Sequence, residues 1–311
     1  MTGLLAQAPV LSADQASVSV VTIVDHPALD AFRDGVQKAL KAGGYEQGRN
    51  LKWTFQSAQG NAATVAQIAR KFVGEQPDAI VAISTPAAQA VVAATRTIPV
   101  VFGAVTDPVE AQLVKSMQSS GTNVTGVSDR LVPGPQVELI RKVKPDVKRV
   151  GMVYNPAEAN SVVAVREMKA ALAANGIELV EAAAPRTVDV GQAARRLVGK
   201  VDLIYTGTDN NVVSAYEALA KVGNDAQIPL VAADAGSVPR GAAAALSVDY
   251  ALLGEQAGRQ VVAILKGRKP ADLSSETAER QMLVLNAAAA RKQGIEFSDA
   301  LKAEAAEILG Q

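Results

Sequence analysis

The feature that most constrains this chain is a repeat of alternating strands and helices, which runs once to about residue 105 and restarts near Arg149. Val18–Val24 is an almost continuous apolar run, as in a parallel strand buried on both faces. Leu29, Phe32, Val36 and Leu40 then recur at helical spacing. Leu51–Phe55, Ala79–Ile83 and Val100–Val105 read as further strands, and Thr64–Val73 as a helix between them. In the second half, strands are predicted at Arg149–Tyr154, Glu178–Ala183, Leu203–Thr206, Leu230–Ala233 and Ala244–Val248. A helix over Glu158–Ala174 closes on Asn175-Gly176. The halves match in detail: Asp25-His26-Pro27 answers Tyr154-Asn155-Pro156, and Ile98-Pro99-Val100 answers Ile228-Pro229-Leu230. Pro27 and Pro99 lie 72 positions apart, Pro156 and Pro229 73 apart. Unrelated apolar patterns would not keep that spacing. The expected fold is α/β: two similar lobes, each a doubly wound parallel sheet, joined by a multi-strand hinge. The lobe boundary falls near Val127–Pro135, where SDRLVPGP carries loop signals. A helix over Ala251–Lys266 and a short strand at Gln281–Leu285 complete the chain.

Composition narrows the chemistry. With 311 residues and 49% of them hydrophobic, two cores can be filled. The 31 basic and 31 acidic residues balance, which disfavours a nucleic-acid partner. There is no cysteine, so disulfides, thiolate metal sites and cysteine nucleophiles are excluded. His26 is the only histidine, so a zinc cluster of histidines is excluded as well. Neither GxxxxGK[ST] nor a GxGxxG after the first strand occurs, which disfavours nucleotides. No cofactor and no metal are expected. Residues 1–16 lack a basic stretch followed by an apolar run of signal-peptide length. They read as an N-terminal extension or the remnant of an export signal.

In open parallel sheets, ligands bind beyond the carboxyl ends of the strands, where helix N-termini point. The polar residues of this sequence gather there. Ser84-Thr85-Pro86 follows one strand and opens a helix; it either caps that helix or binds a carboxylate through hydroxyls and backbone N–H groups. Thr106 can face the cleft, while Asp107 before Pro108 reads as a plain cap. His26 reads as a structural hydrogen-bonding group, at a position that also suits the cleft wall. In the second half, Asn155 and Asn160 flank a helix start. Asp209 and Asn210 end a strand; they either meet a ligand ammonium or cap the helix Val212–Lys221. Asp234 ends the strand before Gly236. A buried ammonium needs a carboxylate, and Asp209 and Asp234 are the two candidates. The aromatics Tyr154, Tyr205 and Phe102 near strand ends read as core.

Long ordered segments resemble one family. They are DHPALD (25–30), STPAAQA (84–90), IPVVFGAVTDPVEAQLV (98–114), NVTGVSD (123–129), YNPAEANS (154–161), TDNNVVSA (208–215) and DAGSVPRGAAAALSVDYALLGEQAG (234–258). Together they resemble ABC-transporter substrate-binding proteins of the tryptophan/aromatic amino-acid type, across about residues 18–301. The resemblance implies the type I periplasmic-binding-protein fold with three crossings between lobes. It implies that residues 17–128 and 250–268 form lobe 1, and 129–249 and 269–311 lobe 2. It further implies that Ser84, Thr85 and Thr106 hold a carboxylate, and that Asn155, Asn160, Asp209 and Asp234 complete a polar cage. The implied protein is a periplasmic, monomeric binding protein without catalysis, serving a membrane permease and ATPase. Two other readings share the fold. A ligand-sensing regulatory domain would need a DNA-binding segment. An enzyme would have to use His26 with Asp25 or Asp107.

Overall fold

The structure, a computed structural model, describes residues 15–310. The extension expected over residues 1–16 lies outside these, apart from Gln15 and from Ala16, which already belongs to the first strand.

Lobe 1 begins with β1 (Ala16–Thr22), α1 (Pro27–Ala42), β2 (Leu51–Ser57) and α2 (Ala62–Glu75). It continues through β3 (Ala79–Ile83), α3 (Thr85–Ala94), β4 (Val100–Val105) and β5 (Val124–Ser128). Buried alternation decides which helix covers which face of its sheet. Ile80 and Ala82 pack with Phe72 of α2 and Val91 of α3. Ala79, Val81 and Ile83 turn the other way, toward Phe32 and Val36 of α1.

The chain then crosses to lobe 2. There it forms α4 (Pro133–Val143), β6 (Arg149–Tyr154), α5 (Ala159–Ala174), β7 (Glu178–Ala183) and α6 (Val190–Arg195). β8 (Leu203–Thr206), α7 (Asn210–Ser214), α8 (Tyr216–Ala226), β9 (Leu230–Ala232) and β10 (Ala244–Val248) follow. The predicted helix Val212–Lys221 is two helices, broken at Ala215. Met152, Leu203 and Tyr205 face α4 and α5, while Val153 and Ile204 face α6 and α8.

A second crossing at Asp249 brings α9 (Tyr250–Leu265) back to lobe 1, against α1. A Cβ on Gly254 would meet the Phe32 carbonyl oxygen at 2.0 Å, and one on Gly35 the Ala251 carbonyl oxygen at 2.2 Å. The two helices touch backbone to backbone. β11 (Glu276–Thr277) then pairs with β5, so lobe 1 keeps the chain to Thr277. This corrects the expectation that lobe 2 resumes at residue 269: the chain first adds an edge strand to the lobe 1 sheet. The third crossing leads to β12 (Gln281–Asn286), α10 (Ala287–Lys292), α11 (Asp299–Glu304) and β13 (Glu307–Leu309).

Lobe 1 has a six-stranded sheet, β11-β5-β4-β3-β1-β2, with every pair parallel. Lobe 2 has seven strands, β13-β12-β10-β9-β8-β6-β7, parallel except for β10 with β12. The two sheets are of one doubly wound kind. The three crossings lie side by side: Ala278 N donates to Ser128 O at 3.1 Å, and Asp249 N to Arg280 O at 3.1 Å.

Candidate functional site

The carboxyl ends of the strands in both lobes face a shared cleft. It holds a small cavity of about 30 Å³ bounded by His26, Ser84, Thr85, Asn160, Asn210 and Asp234, with Thr106, Asp129, Thr208 and Tyr250. Ala28, Leu29, Ala104 and Val213 supply its apolar wall. A second chamber of about 40 Å³ adjoins it, sharing Thr106, Asp129 and Thr208.

Seven of the nine residues singled out from sequence line the first cavity: His26, Ser84, Thr85, Thr106, Asn160, Asn210 and Asp234. Asn155 and Asp209 do not. Asp209 Oδ2 accepts from Asn155 N at 2.6 Å and from Ser161 Oγ at 2.6 Å, and Oδ1 accepts from Val212 N at 2.9 Å. Asp209 therefore ties three segments of lobe 2 together and caps α7, the second of the two readings its position allowed. Asn155 Oδ1 accepts from Ala157 N at 3.0 Å and its side-chain amide faces Glu158 at 3.3 Å, so both of its ends are held locally.

Ser84 departs most from a simple cap. Its φ is +85°, its hydroxyl makes no capping bond to α3, and its N–H is held by Gly103 O at 2.9 Å. Ala104 opposite also has positive φ, +52°, beside a register shift between β4 and β5. Two strained non-glycine residues on one cavity wall mark a place where the surrounding fold fixes an unfavourable backbone.

His26 caps α1: its Nδ1 accepts from Ala28 N at 3.2 Å. That acceptor role assigns the proton to Nε2, so the ring is neutral. Burial holds its pKa below the ordinary value, with the Asp234 carboxylate pulling the other way. Nε2 stands 3.5 Å from Asp234 Oδ1, without hydrogen-bond geometry. Asp234 itself accepts from Ser237 N at 2.9 Å and Ser237 Oγ at 2.7 Å. Neither partner required by the enzymatic reading pairs with His26. Asp25 is exposed, and Asp107 caps Val109 N and Glu110 N while holding Arg130.

Sequence reasoning missed Asp129, Tyr250 and Glu158. Asp129 and Tyr250 sit at the first and second crossings, and the Tyr250 hydroxyl donates to Asp129 Oδ2 at 2.7 Å. Burial pushes the Asp129 carboxyl above the usual carboxylate range, against that hydrogen bond. Glu158 holds the two wall amides: its Oε2 accepts from Asn210 Nδ2 at 2.6 Å and from Asn160 Nδ2 at 3.4 Å. Burial, then the Asp209 charge, pushes the Glu158 carboxyl up. Asp129 closes the quoted segment NVTGVSD, which was the available signal; Tyr250 and Glu158 offered none beyond their place in longer segments.

Five buried side-chain atoms on this wall have no hydrogen-bond partner: His26 Nε2, Ser84 Oγ, Thr85 Oγ1, Asp129 Oδ1 and Asn160 Oδ1. Buried polar atoms are rarely left so. Three of them can donate: the imidazole N–H and the two hydroxyls. Two can only accept, because the Asn160 amide nitrogen is engaged with Thr208 O at 3.1 Å.

The family model described as ABC transporter substrate binding protein matches residues 17–309. The chain belongs to the ABC transporter substrate-binding proteins. A curated relative in Clostridioides difficile (strain R20291), named tyrosine-binding protein, is 40% identical over 275 residues, 88% of this chain and 80% of its own. The solved structure of an ABC domain in complex with L-Trp from Streptococcus pneumonia is 33% identical and superposes with a TM-score of 0.91, covering 95% of this chain and 100% of that one. A ligand-free, open structure of a substrate-binding protein with adhesive properties from Clostridium difficile is 36% identical, with the same coverages and a TM-score of 0.72. As a substrate-binding protein of this family the chain has the type I periplasmic-binding-protein fold.

Proposed function

We propose that this chain is the extracytoplasmic solute-binding protein of an ABC importer, and that its lobes close over a free aromatic amino acid without chemical change. The observation that carries this reading is the wall of five unpartnered atoms, three that can donate and two that accept. A zwitterion matches that division. Its carboxylate meets the Ser84 and Thr85 hydroxyls at the N-terminus of α3, where the helix dipole also favours an anion. The ammonium meets Asp129 Oδ1 and Asn160 Oδ1, with Asp234 as a second carboxylate on the same wall. Asp129 replaces Asp209 in that role because Asp209 lies outside the cavity wall, with both oxygens turned to groups of lobe 2.

The tyrosine-binding and Trp-complexed relatives support the ligand class. The greater likeness to the Trp complex than to the open relative supports a closed arrangement in which the lobes touch. Contacts across the cleft agree: Thr106 Oγ1 is 3.4 Å from Thr208 Oγ1, and Arg166 pairs with Glu110 through two bonds of 2.7 Å. In this role the chain delivers its ligand to a permease and ATPase in the membrane.

Calorimetry with free amino acids tests the proposal. Aromatic amino acids bind, raise the melting temperature, and are recovered unaltered by mass spectrometry. Asp129→Asn weakens binding by roughly 2–5 kcal/mol, as expected when a buried charge loses its partner. Asp209→Asn lowers stability and leaves affinity near wild type. A screen silent to every amino acid would sink the proposal, and an Asp129→Asn variant that binds like wild type would overturn the ammonium assignment.

A further inference from the structure

We propose that the second chamber receives the ligand's side chain, and that Gln136 there selects an aromatic ring bearing a hydrogen-bond donor, a phenol O–H or an indole N–H. The inference rests on the amino-acid reading above and deepens it. Gln136 lies in the first turns of α4 and is 1% exposed. Its Nε2 donates to Leu246 O at 3.0 Å. A carbonyl oxygen only accepts, so this bond fixes the amide with nitrogen toward β10 and leaves Oε1 free. Oε1 is buried and has no partner. Among the residues that line this chamber alone, it is the one buried side-chain atom in that state.

The surroundings suit a ring. Leu131, Pro133, Ala164, Met168 and Tyr205 give the chamber apolar and flat surfaces. A thioether sulfur beside an aromatic ring is itself favourable. Apart from Asp129 on the shared wall, the one charged residue of the lining is Glu167, and it is held by Arg130. Beyond the shared wall, where Asp129 is reserved for the ammonium, the chamber therefore offers an acceptor without a competing free charge.

Placement follows from the shared wall. Asp129 borders both spaces. An amino acid whose ammonium meets Asp129 has its α-carbon at the junction. Its carboxylate then reaches Ser84 and Thr85 on one side, and its side chain enters the second chamber on the other. Phenylalanine would fill the chamber but bury Gln136 Oε1 unsatisfied, and a site built to hydrogen-bond a group rejects the analogue that lacks it.

The test is calorimetry on the full chain with L-tyrosine, L-tryptophan, L-phenylalanine, O-methyl-L-tyrosine and 1-methyl-L-tryptophan. For the tighter of tyrosine and tryptophan, methylating the ring donor costs about tenfold or more in affinity, and phenylalanine binds weaker by a similar factor. Gln136→Met keeps the side-chain length and removes the acceptor. It weakens the donor-bearing ligand by about tenfold and leaves phenylalanine where it was or tighter. Phenylalanine and the methylated analogues binding as tightly as their parents would overturn the inference while leaving the amino-acid reading intact. So would a Gln136→Met variant that weakens all ligands by one factor, since that is the mark of a purely supporting residue. No binding of any amino acid would remove both readings together. The wild-type analogue series decides the matter alone if the variant does not fold.

Discussion

His26 shows how one side chain serves the fold and the cleft together. Its Nδ1 is committed to α1 and its Nε2–H faces the cavity. Because burial depresses its pKa, the unfolded chain binds a proton near pH 6.5 that the folded chain refuses. Between the depressed folded value and about 6.5, stability therefore rises with pH and is lost on acidification. His26→Gln is expected to flatten that part of the stability curve relative to wild type in urea titrations across pH; superimposable slopes would contradict it. Most of the wall was legible in residue types at strand ends, since a Ser, Thr, Asn or Asp at that position is placed by topology alone. Asp129 and Gln136 were not. The first owes its place to a lobe crossing, and the second to a hydrogen bond from its side-chain amide to the carbonyl of Leu246, 110 positions away. Asp209 misled because a carboxylate at a helix start looks the same in sequence whether it meets a ligand or its own backbone.

Among the elements, the pairing of α1 with α9 depends closely on side-chain size. Gly35, Gly254 and Gly258 let the two helices approach until a Cβ would strike backbone. Gly254→Ala gains helix propensity of about 1 kcal/mol, yet it must displace the Phe32 carbonyl. A net loss of about 1–3 kcal/mol is expected from overpacking, with ligand affinity little changed; an unaltered denaturation midpoint would refute the close approach. The long strands and helices were legible because each carries a clear period. β5 and the edge strands β11 and β13 were not, being short and recruited by neighbours. α9 shows the limit in another way: its apolar pattern announces a helix, and nothing local says which lobe it covers.

At the scale of the molecule, lobe contact depends on Gly236 of lobe 2. A Cβ there would lie 2.9 Å from His26 Cε1 and 3.3 Å from Ala28 N, both in lobe 1. Gly236→Val should hold the cleft ajar while leaving each core intact. Small-angle scattering with ligand should give a larger radius of gyration than wild type, with affinity reduced about tenfold or more as the ligand loses one wall. Full compaction of the variant would disprove this. The Arg166–Glu110 pair at the rim adds little by itself, since exposed ion pairs are screened by solvent. The three crossings between lobes matter more. Parallel tethers laced by hydrogen bonds resist shear and torsion but yield readily to flexing, so an opening of the cleft is expected to follow a single soft coordinate. One spectroscopic ruler, a dye pair with one member on each rim, would then report the entire motion, and any second ruler would repeat its reading.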